Sequence, residues 1–277
     1  MEGDLRLEQN TITRSKERRI DQVDWQGCDL VVEASGQFRT SESLDLYANN
    51  GVNKVVVTAP VYADGIANIV VGVNEDQYDL SEHKVVTAAS CTTNCIAPVI
   101  KVIDAEFGIR HGSLTTIHAL TNTQTILDAP HKDLRRARAC GTSLIPTTTG
   151  SARAITEIFP HLAGRLNGHA VRAPLASPSL TDLVFELSRP TTAEVVNEAL
   201  SAAAKDNKVL GFESRPLVSI DYKSDPRSAV IDGPSTMVVN GTQLKLYAWY
   251  DNEWGYANRT VELALLAGGQ SPQRDTN

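Results

Sequence analysis

The sequence lacks the long apolar runs and the surplus of basic residues that would place it in a membrane or on a nucleic acid. The opening segment MEGDLRLEQNTITRSKERR has no apolar core of a signal peptide, and no later run reaches the length that spans a bilayer. The formal net charge is -7 over 277 residues, whereas a surface that binds phosphate backbones is basic. We therefore expect a soluble, cytoplasmic protein that binds neither nucleic acid nor membrane.

Cysteine is also scarce, since the chain has only four, at irregular spacing. That number does not make a disulfide framework in a chain of this length, so the cysteines are free thiols, ligands or nucleophiles. Two of them lie in ASCTTNC, residues 89–95. A zinc site is disfavoured because this pair has no second close ligand pair, and we expect no bound metal.

The first ninety residues predict a parallel sheet. Four short runs, DLVVEAS, NKVVVTAP, IANIVVGVN and KVVTAAS, show little alternation of apolar and polar residues, which is typical of strands covered on both faces. Between the first two, TSESLDLYANNG predicts a short amphipathic helix.

The remaining residues predict an α+β unit built on a mainly antiparallel sheet. The runs SLTTIHAL, HAVRAPL, LTDLVFELS, LVSIDY and STMVVNGTQLKLYAWYD alternate apolar and polar residues, and Asn240-Gly241 predicts a hairpin turn. Helices are predicted for SARAITEIFPHL and TTAEVVNEALSAAAKD. The last apolar helix, GYANRTVELALLAGG, fits against either unit.

The cysteine pair lies where a strand pattern gives way to a helix pattern. With Ser90 as the helix cap, Cys91 lies in the first turn, close to unpaired backbone N–H groups and the positive end of the helix dipole. Such a position lowers the pKa of a thiol, and the thiolate is the nucleophile. The alternative is that Cys91 and Cys95 are core residues, because cysteine is among the most buried residue types.

Six motifs carry a family resemblance: ASCTTNC, TTIHALTNTQ, DLRRARA, IPTTTGSARAI, LNGHAVRAP and WYDNEWGYANR. From about residue 20 onward the chain resembles, in the same order, the phosphorylating glyceraldehyde-3-phosphate dehydrogenase family. The resemblance implies oxidation of a phosphorylated aldehyde through a cysteine thioester, with NAD or NADP as cofactor and inorganic phosphate as acyl acceptor. It also implies a homo-oligomer, tetrameric in the family.

The implied fold is α/β, with an incomplete Rossmann-type parallel-sheet domain and an α+β catalytic domain whose sheet is mainly antiparallel. Residues 1–90 and 251–277 would form the first, which is a remnant of an NAD-binding domain, and residues 91–250 would form the second.

The resemblance also assigns roles to individual residues. Cys91 is the implied nucleophile and His118 its base. Thr121 and Arg172 are implied to bind the substrate phosphate. The residues implied to bind the attacking inorganic anion are Ser90, Thr92, Thr149 and Gly150, with Arg136 as an added cation. The residues implied to contact the cofactor are Ser35, Gly36, Thr58, Asn252 and Tyr256.

The sequence departs from the family at the dinucleotide fingerprint. No G-x-G-x-x-G is present, and neither is the acidic residue that holds the adenosine ribose. We expect weakened cofactor binding and exposed sheet edges. Truncation of a longer family chain within a domain is the favoured explanation, and a genuinely short protein that has lost NAD chemistry is the alternative.

Within the family, the overall likeness is greatest to the branch associated with arsenate resistance, in which arsenate replaces phosphate as the acyl acceptor. Two other functions stay open. One is a cofactor-independent acyl-transfer or esterase activity, because the thiol, imidazole and anion sites are all present. The other is a non-catalytic, redox-responsive thiol protein or a subunit that pairs with a complete family member.

Overall fold

The computed structural model describes residues 5–7 and 10–270 of the chain. Residues 271–277, which the predicted first domain includes, lie outside the described residues, as do residues 1–4 and 8–9. The strands are β1 (Leu5–Leu7), β2 (Asn10–Ile12), β3 (Leu30–Glu33), β4 (Lys54–Val57), β5 (Ile66–Asn68), β6 (Val85–Thr87), β7 (Ile109–His118), β8 (Ile145–Thr148), β9 (Leu166–Arg172), β10 (Ser179–Leu187), β11 (Leu210–Glu213), β12 (Ala229–Asp232), β13 (Met237–Val239) and β14 (Gln243–Tyr250). The α-helices are α1 (Ser41–Asn49), α2 (Cys91–Phe107), α3 (Ser151–Ile158), α4 (Ala193–Ala204) and α5 (Trp254–Ala267).

The predicted parallel sheet is confirmed, with strand order β3-β4-β6-β5. Helix α1 begins where the sequence predicts, because the Thr40 hydroxyl accepts a hydrogen bond from the Ser43 N–H. Helix α5 packs on this sheet, where Leu263 and Ala267 are buried with Val56 and Val86. The last helix therefore belongs to the parallel sheet, which the sequence had left open.

Coverage of this sheet is less complete than the apolar runs predict. Strand β3 lies at the edge of the sheet, and Val32 at its centre is 43% exposed. Only Ile66–Asn68 of the run IANIVVGVN forms a strand, and the residues that follow turn away. The strands predicted from the apolar runs are therefore longer and more deeply buried than the strands in the structure.

The second sheet is mixed and mostly antiparallel, which confirms the prediction. Its order is β11-β12-β14-β10-β7-β9-β8, with β13 paired to β14. Within the described residues of this second sheet, only the pairs β11/β12 and β7/β9 are parallel. The hairpin at Asn240-Gly241 is also confirmed, since both residues have positive φ, 51° and 76°, as a type I′ turn requires.

One predicted strand of this unit is wrong. LVSIDY contains a 3₁₀ helix at Ser219–Tyr222, because the Asp221 carboxylate accepts a hydrogen bond from the Val218 N–H and closes the turn. Tyr222 alone is buried there, stacked on Trp249. Strands β8, β11 and β12 are four residues long and were not predicted.

Helix α2 lies in the core shared by the mixed sheet and its neighbouring helices. Its fully buried side chains include Cys95, Ile96, Val99, Ile100 and Ile103. Their partners come from β7, β10 and β14, including Leu114, Leu183 and Leu246. This packing fixes the end of α2 that carries Cys91.

The contact between β7 and β10 generates a stability prediction at Gly112. A Cβ atom there would lie 2.5 Å from the Val184 carbonyl oxygen and 2.6 Å from Phe185 Cδ1. We expect Gly112→Ala to lower the free energy of unfolding by about 1–3 kcal/mol, measured by urea denaturation. Gly141→Ala is the matched control, because a Cβ there meets nothing within 4 Å. Equal stability of the two variants would contradict the packing described.

Candidate active site

Cys91 is placed by a tight turn between β6 and α2. Ala89 adopts a positive φ of 52°, which is unusual for a residue with a side chain, and the Ala89 N–H donates to Thr87 Oγ1 at 3.1 Å. Asn94 Nδ2 donates to the Ala88 carbonyl at 2.8 Å. Ser90 caps the helix by accepting from the Thr93 N–H at 3.1 Å, so the predicted cap is observed.

The structure brings His118 to Cys91. The two residues come from different elements, yet Cys91 Sγ lies 3.5 Å from His118 Nε2. The other ring nitrogen, Nδ1, lies 2.7 Å from the Ala119 carbonyl oxygen and 2.7 Å from Arg172 Nη1. Arg172 reaches the ring because His118 and Arg172 are paired in the parallel register of β7 and β9. The imidazole therefore contacts both the thiol and the guanidinium.

These contacts allow two protonation arrangements of the imidazole. If Nδ1–H donates to the Ala119 carbonyl, Nε2 has a lone pair and can take the proton of Cys91. If Arg172 donates to Nδ1, Nε2 carries the proton and donates to the sulfur as a thiolate. The site can therefore act as a base toward a thiol or as a donor toward an anion.

Burial governs the pKa values of the pair. Burial, together with the charge of Arg172, lowers the pKa of His118 to about 4, so the ring is neutral at pH 7. Burial also raises the pKa of the Cys91 thiol, although hydrogen bonds from Thr92 and the charge of Arg172 oppose the change. The predicted lowering at a helix N-terminus is corrected here, because desolvation of the thiolate outweighs those favourable contacts.

The environment of Arg172 is that of an anion site. Among the residues that the structure describes, its Nε is buried and has no hydrogen-bond partner. Burial lowers the pKa of the guanidinium, and the charge of Arg136 lowers it further, so the two cations lie within electrostatic range. Arg136 is half-buried and pairs with Asp133 at 3.5 Å, whereas Arg172 forms no ion pair among the described residues. A partly buried charge without a partner is costly, so an anion bound at Arg172 would be favourable. The geometry fits an anionic group of the substrate.

Thr121 is connected to this cation pair through Thr123. The hydroxyls of Thr121 and Thr123 lie 3.0 Å apart, and Arg136 Nη1 donates to Thr123 Oγ1 at 3.0 Å. Buried Gln124 accepts from the Thr121 N–H at 2.9 Å and holds the turn. Arg136 therefore lies on the side of Thr121, whereas the sequence analysis placed it with the attacking anion.

The residues predicted for the attacking anion lie at two helix starts. Gly150 caps α3, and Thr149 accepts at Oγ1 from the Ser151 N–H at 3.2 Å. Ser90 caps α2, which packs against α3. Thr92 is buried, and its hydroxyl lies 2.9 Å from Tyr250 Oη, so its side chain supports the base of the site. The roles of these residues stay predictions.

Of the predicted cofactor residues, Tyr256 lies beside the cysteine turn, and Asn252 is joined through Ser179 to the Ala119 N–H at the end of β7. Tyr256 Oη donates to the Ala89 carbonyl at 3.1 Å. Asn252 is buried, and its Oδ1 accepts from Ser179 Oγ at 2.9 Å, which leaves Nδ2 as its remaining polar group. A free amide donor has the chemistry that a nicotinamide carboxamide requires.

The other three predicted cofactor residues follow β3 and β4. Ser35 and Gly36 are exposed, and Gly36 has a φ of 71°. The Thr58 N–H donates to the Glu33 carbonyl at 3.0 Å, which joins the two strand ends. The carboxyl ends of parallel strands are where dinucleotides bind in open α/β sheets. Ser35 also lines a cleft of ≈ 770 Å³ with Phe38 and Tyr47.

Three residues of the site were missed by the sequence analysis: Thr123, Gln124 and Tyr250. Tyr250 Oη lies 3.3 Å from Thr116 Oγ1, and its ring meets the His118 ring edge-on at 6.1 Å. Thr123 and Gln124 belong to the motif TNTQ, which begins at Thr121, so their place in that motif could have indicated that they lie in the site. For Tyr250, the alternation of apolar and polar residues along β14 indicated that the side chain is buried but gave no indication of a role in the site.

Two features are absent from the described ranges. None of their helices is both long and apolar enough to cross a membrane. Nor do histidine, cysteine, aspartate and glutamate side chains there gather into a cluster able to hold a metal ion.

The fold and the site together define a class of protein. A parallel sheet leads into a helix whose first residue is a cysteine. The mixed sheet supplies the imidazole of His118 and the guanidinium of Arg172, and the segment after β7 supplies Arg136. A thiol in contact with an imidazole is what nucleophilic catalysis by cysteine requires, and a guanidinium suits an anionic substrate.

Comparison with known proteins identifies the family. The family described as glyceraldehyde 3-phosphate dehydrogenase, C-terminal domain, matches residues 90–252. The chain is 61% identical over 249 residues to glyceraldehyde-3-phosphate dehydrogenase 3 of Nostoc sp., covering 88% of this chain and 74% of that protein. It is 52% identical over 246 residues to glyceraldehyde-3-phosphate dehydrogenase 2 of Bacillus subtilis, covering 87% and 72%. The chain belongs to the glyceraldehyde-3-phosphate dehydrogenase family, which confirms the resemblance.

The low pKa of His118 predicts a pH dependence of stability. The unfolded chain binds a proton at this histidine below its ordinary pKa of 6.5, whereas the folded chain does so only near pH 4. We expect the free energy of unfolding to fall as the pH drops from about 6.5 to about 4, by at most about 3 kcal/mol from this group.

Urea denaturation of the wild type and of His118→Gln between these pH values measures the effect. His118→Gln should lose the part of the pH dependence of the unfolding free energy that His118 contributes. His131→Gln, which changes an exposed histidine, should keep it. An unchanged slope in His118→Gln would show that the imidazole is not buried as described.

Proposed function

We propose that this chain acts as a glyceraldehyde-3-phosphate dehydrogenase through a thioester at Cys91, with phosphate or arsenate as the acyl acceptor. The observation that carries the proposal is one imidazole, that of His118, in contact with both the Cys91 thiol and the Arg172 guanidinium. A thiol, an imidazole and a guanidinium are thus joined in one chain of contacts, which supports their roles as nucleophile, base and anion-binding cation. Membership of the family supports the same reaction.

The chemistry begins with the thiol and the base. His118 Nε2 takes the proton of Cys91 as the sulfur bonds to the aldehyde carbon, and returns that proton to the carbonyl oxygen. His118 then removes the proton of the resulting hydroxyl while the carbon loses its hydrogen as a hydride, which gives the thioester. A bound nicotinamide supplies the hydride acceptor.

The acyl transfer that follows releases the enzyme. An oxygen of inorganic phosphate or arsenate attacks the thioester carbon, the C–S bond breaks, and its electrons return to Cys91 as a thiolate. Nε2–H of His118 and the charge of Arg172 are placed to stabilise that thiolate. The two acceptors are nearly isosteric, so the arsenate-resistance branch is proposed on overall likeness.

The substrate phosphate binds at the cation pair. The Nε of Arg172 is buried without a protein partner among the described residues, and Arg136 reaches the same area from the segment after β7. A guanidinium donates to two phosphate oxygens at once, which suits recognition of a phosphorylated aldehyde. Thr121 adds a hydroxyl donor beside them.

NAD or NADP is the proposed cofactor. Asn252 and Tyr256 would hold its nicotinamide end, and Ser35, Gly36 and Thr58 would lie along its path at the strand ends. Because the sequence contains no G-x-G-x-x-G, few backbone N–H groups are available to its pyrophosphate, and weak binding is expected.

Turnover assays test the proposal. We expect NADH formation from glyceraldehyde 3-phosphate with phosphate or arsenate, lost in Cys91→Ser. Arg172→Gln should lower kcat/KM for the phosphorylated aldehyde by about tenfold to a hundredfold, the value of a buried hydrogen bond to a charged group. Unphosphorylated glyceraldehyde should be much less affected.

The control is Arg138→Gln, an exposed arginine of the segment between β7 and β8 that pairs with Asp128. NADH formation that survives Cys91→Ser would contradict the thioester. Release of p-nitrophenol from p-nitrophenyl acetate by Cys91 without NADH formation would instead favour the cofactor-independent acyl-transfer function.

A homo-oligomer is also proposed, supported by one exposed apolar segment. Ile126, Leu127 and Leu134 are 82%, 77% and 82% exposed in the segment between β7 and β8. Large apolar side chains exposed together mark an interaction surface. A second copy of the chain is the partner that membership of the family favours.

Sedimentation velocity measures the assembly. The wild type should sediment as an oligomer, and Leu127→Asp with Leu134→Asp should sediment with a lower mass, because two buried charges would oppose contact. Val195→Asp is the control, on the exposed face of α4. A monomeric wild type would refute the proposed assembly.

A further inference from the structure

Tyr62 joins the parallel-sheet unit to the start of α3. It lies in the segment between β4 and β5, and its ring is covered by the Arg153 guanidinium at 3.9 Å from the ring centre. Tyr62 Oη donates to the Gly150 carbonyl at 3.5 Å. The ring therefore contacts the first turn of α3 from outside its own unit.

A second contact joins the same two parts of the chain. Arg153 pairs with Glu157 at 3.8 Å, and Glu157 accepts a hydrogen bond from Asn68 Nδ2 at 3.2 Å. Asn68 belongs to β5, and its Nδ2 also donates to the Val61 carbonyl at 2.8 Å. Helix α3 is thus fixed to the segment 61–68 at two points along its length.

This network continues to the turn that carries the nucleophile. Thr87 Oγ1 donates to Asn68 Oδ1 at 2.6 Å and accepts from the Ala89 N–H at 3.1 Å. Thr87, which shapes the turn before Cys91, is therefore connected to Glu157 of α3 by two hydrogen bonds, both made by Asn68. These hydrogen bonds therefore connect the turn before Cys91 to helix α3.

We propose that Tyr62 and Arg153 are positioning residues that hold the Thr149-Gly150 turn at the distance from Cys91 needed to bind the acyl-acceptor oxyanion. The inference rests on the proposed function, in which that turn binds the attacking phosphate or arsenate. Neither side chain needs to touch the anion. Their effect is to pre-organise backbone and hydroxyl donors, and such positioning alters anion affinity without altering the thiol chemistry.

Burial keeps the Tyr62 hydroxyl neutral over the working pH range. It raises the pKa of Tyr62, as does the charge of Glu157, while Arg153 opposes the change. The cation therefore stacks on an uncharged ring, and the contact should persist at assay pH.

Steady-state kinetics with Tyr62→Ala and Tyr62→Phe test the inference. We expect Tyr62→Ala to raise the KM for phosphate by about two- to fivefold, the effect of one partly exposed cation–π contact. The KM for glyceraldehyde 3-phosphate should stay within about twofold of the wild-type value. Tyr62→Phe should restore most of the phosphate affinity, because the stacked ring is kept.

A matched control and a double-mutant cycle separate positioning from general destabilisation. Tyr78→Ala removes another tyrosine of the same unit, one that lies near Lys54 at 6.0 Å, and should leave the KM for phosphate unchanged. Arg153→Gln should reproduce the effect of Tyr62→Ala, and the double variant should be no worse than either single variant. Additive losses would show that Arg153 acts directly on the anion and would overturn the inference.

A second readout does not need turnover. Phosphate bound at the Thr149-Gly150 turn should slow the alkylation of Cys91 by iodoacetamide, and Tyr62→Ala should shift that protection to higher phosphate concentration by the same factor. If the shift occurs without any NADH formation by the wild type, the positioning role stands and the dehydrogenase proposal fails.

The opposite results overturn the inference. If NADH forms normally and Tyr62→Ala has a wild-type KM for phosphate, the dehydrogenase proposal stands and the positioning role is wrong. A fall in kcat with proportional rises in both KM values would show a merely structural role and would also overturn it. Protection that is absent in the wild type would show that the turn binds no anion.

Discussion

The burial of helix α2 is the constraint on which the rest of the site depends. Its side chains Cys95, Ile96, Val99, Ile100 and Ile103 have no exposed surface, and each buried aliphatic side chain stabilises the fold by about 1.5–3 kcal/mol. A helix held on so many sides cannot rotate or slide. The first residue of α2, Cys91, therefore has a fixed position, and it is the residue proposed as the nucleophile.

The same burial sets the electrostatics of the site. Removing water raises the pKa of the Cys91 thiol and lowers the pKa of His118, so the unliganded pair favours its neutral state. Arg172 acts in opposite senses on the two groups, since its charge favours a thiolate and disfavours an imidazolium. An anionic substrate that neutralises Arg172 would change the pKa values of both Cys91 and His118. Substrate binding would therefore alter the protonation of the thiol.

The core and the two sheets meet at short turns whose side chains serve both packing and chemistry. Thr87 ends a strand, shapes the turn before Cys91 and bonds to Asn68 of the neighbouring strand. Tyr250 is part of the core, yet its hydroxyl supports Thr92 and its ring lies against His118. Changes that appear to concern only packing at these positions would therefore alter the geometry of the thiol.

By itself the sequence determined the local features: the helix cap at Ser90, the hairpin at Asn240-Gly241, the parallel and mixed sheets and the family to which the chain belongs. These depend on residues close together along the chain or on motifs of fixed spacing. Only the tertiary structure decided that Arg136 lies beside Thr123, and that the Cys91 thiol is harder to ionise than its place at a helix N-terminus predicts. Both depend on which distant segments pack around a side chain and how much water they exclude, and residue order alone does not specify that.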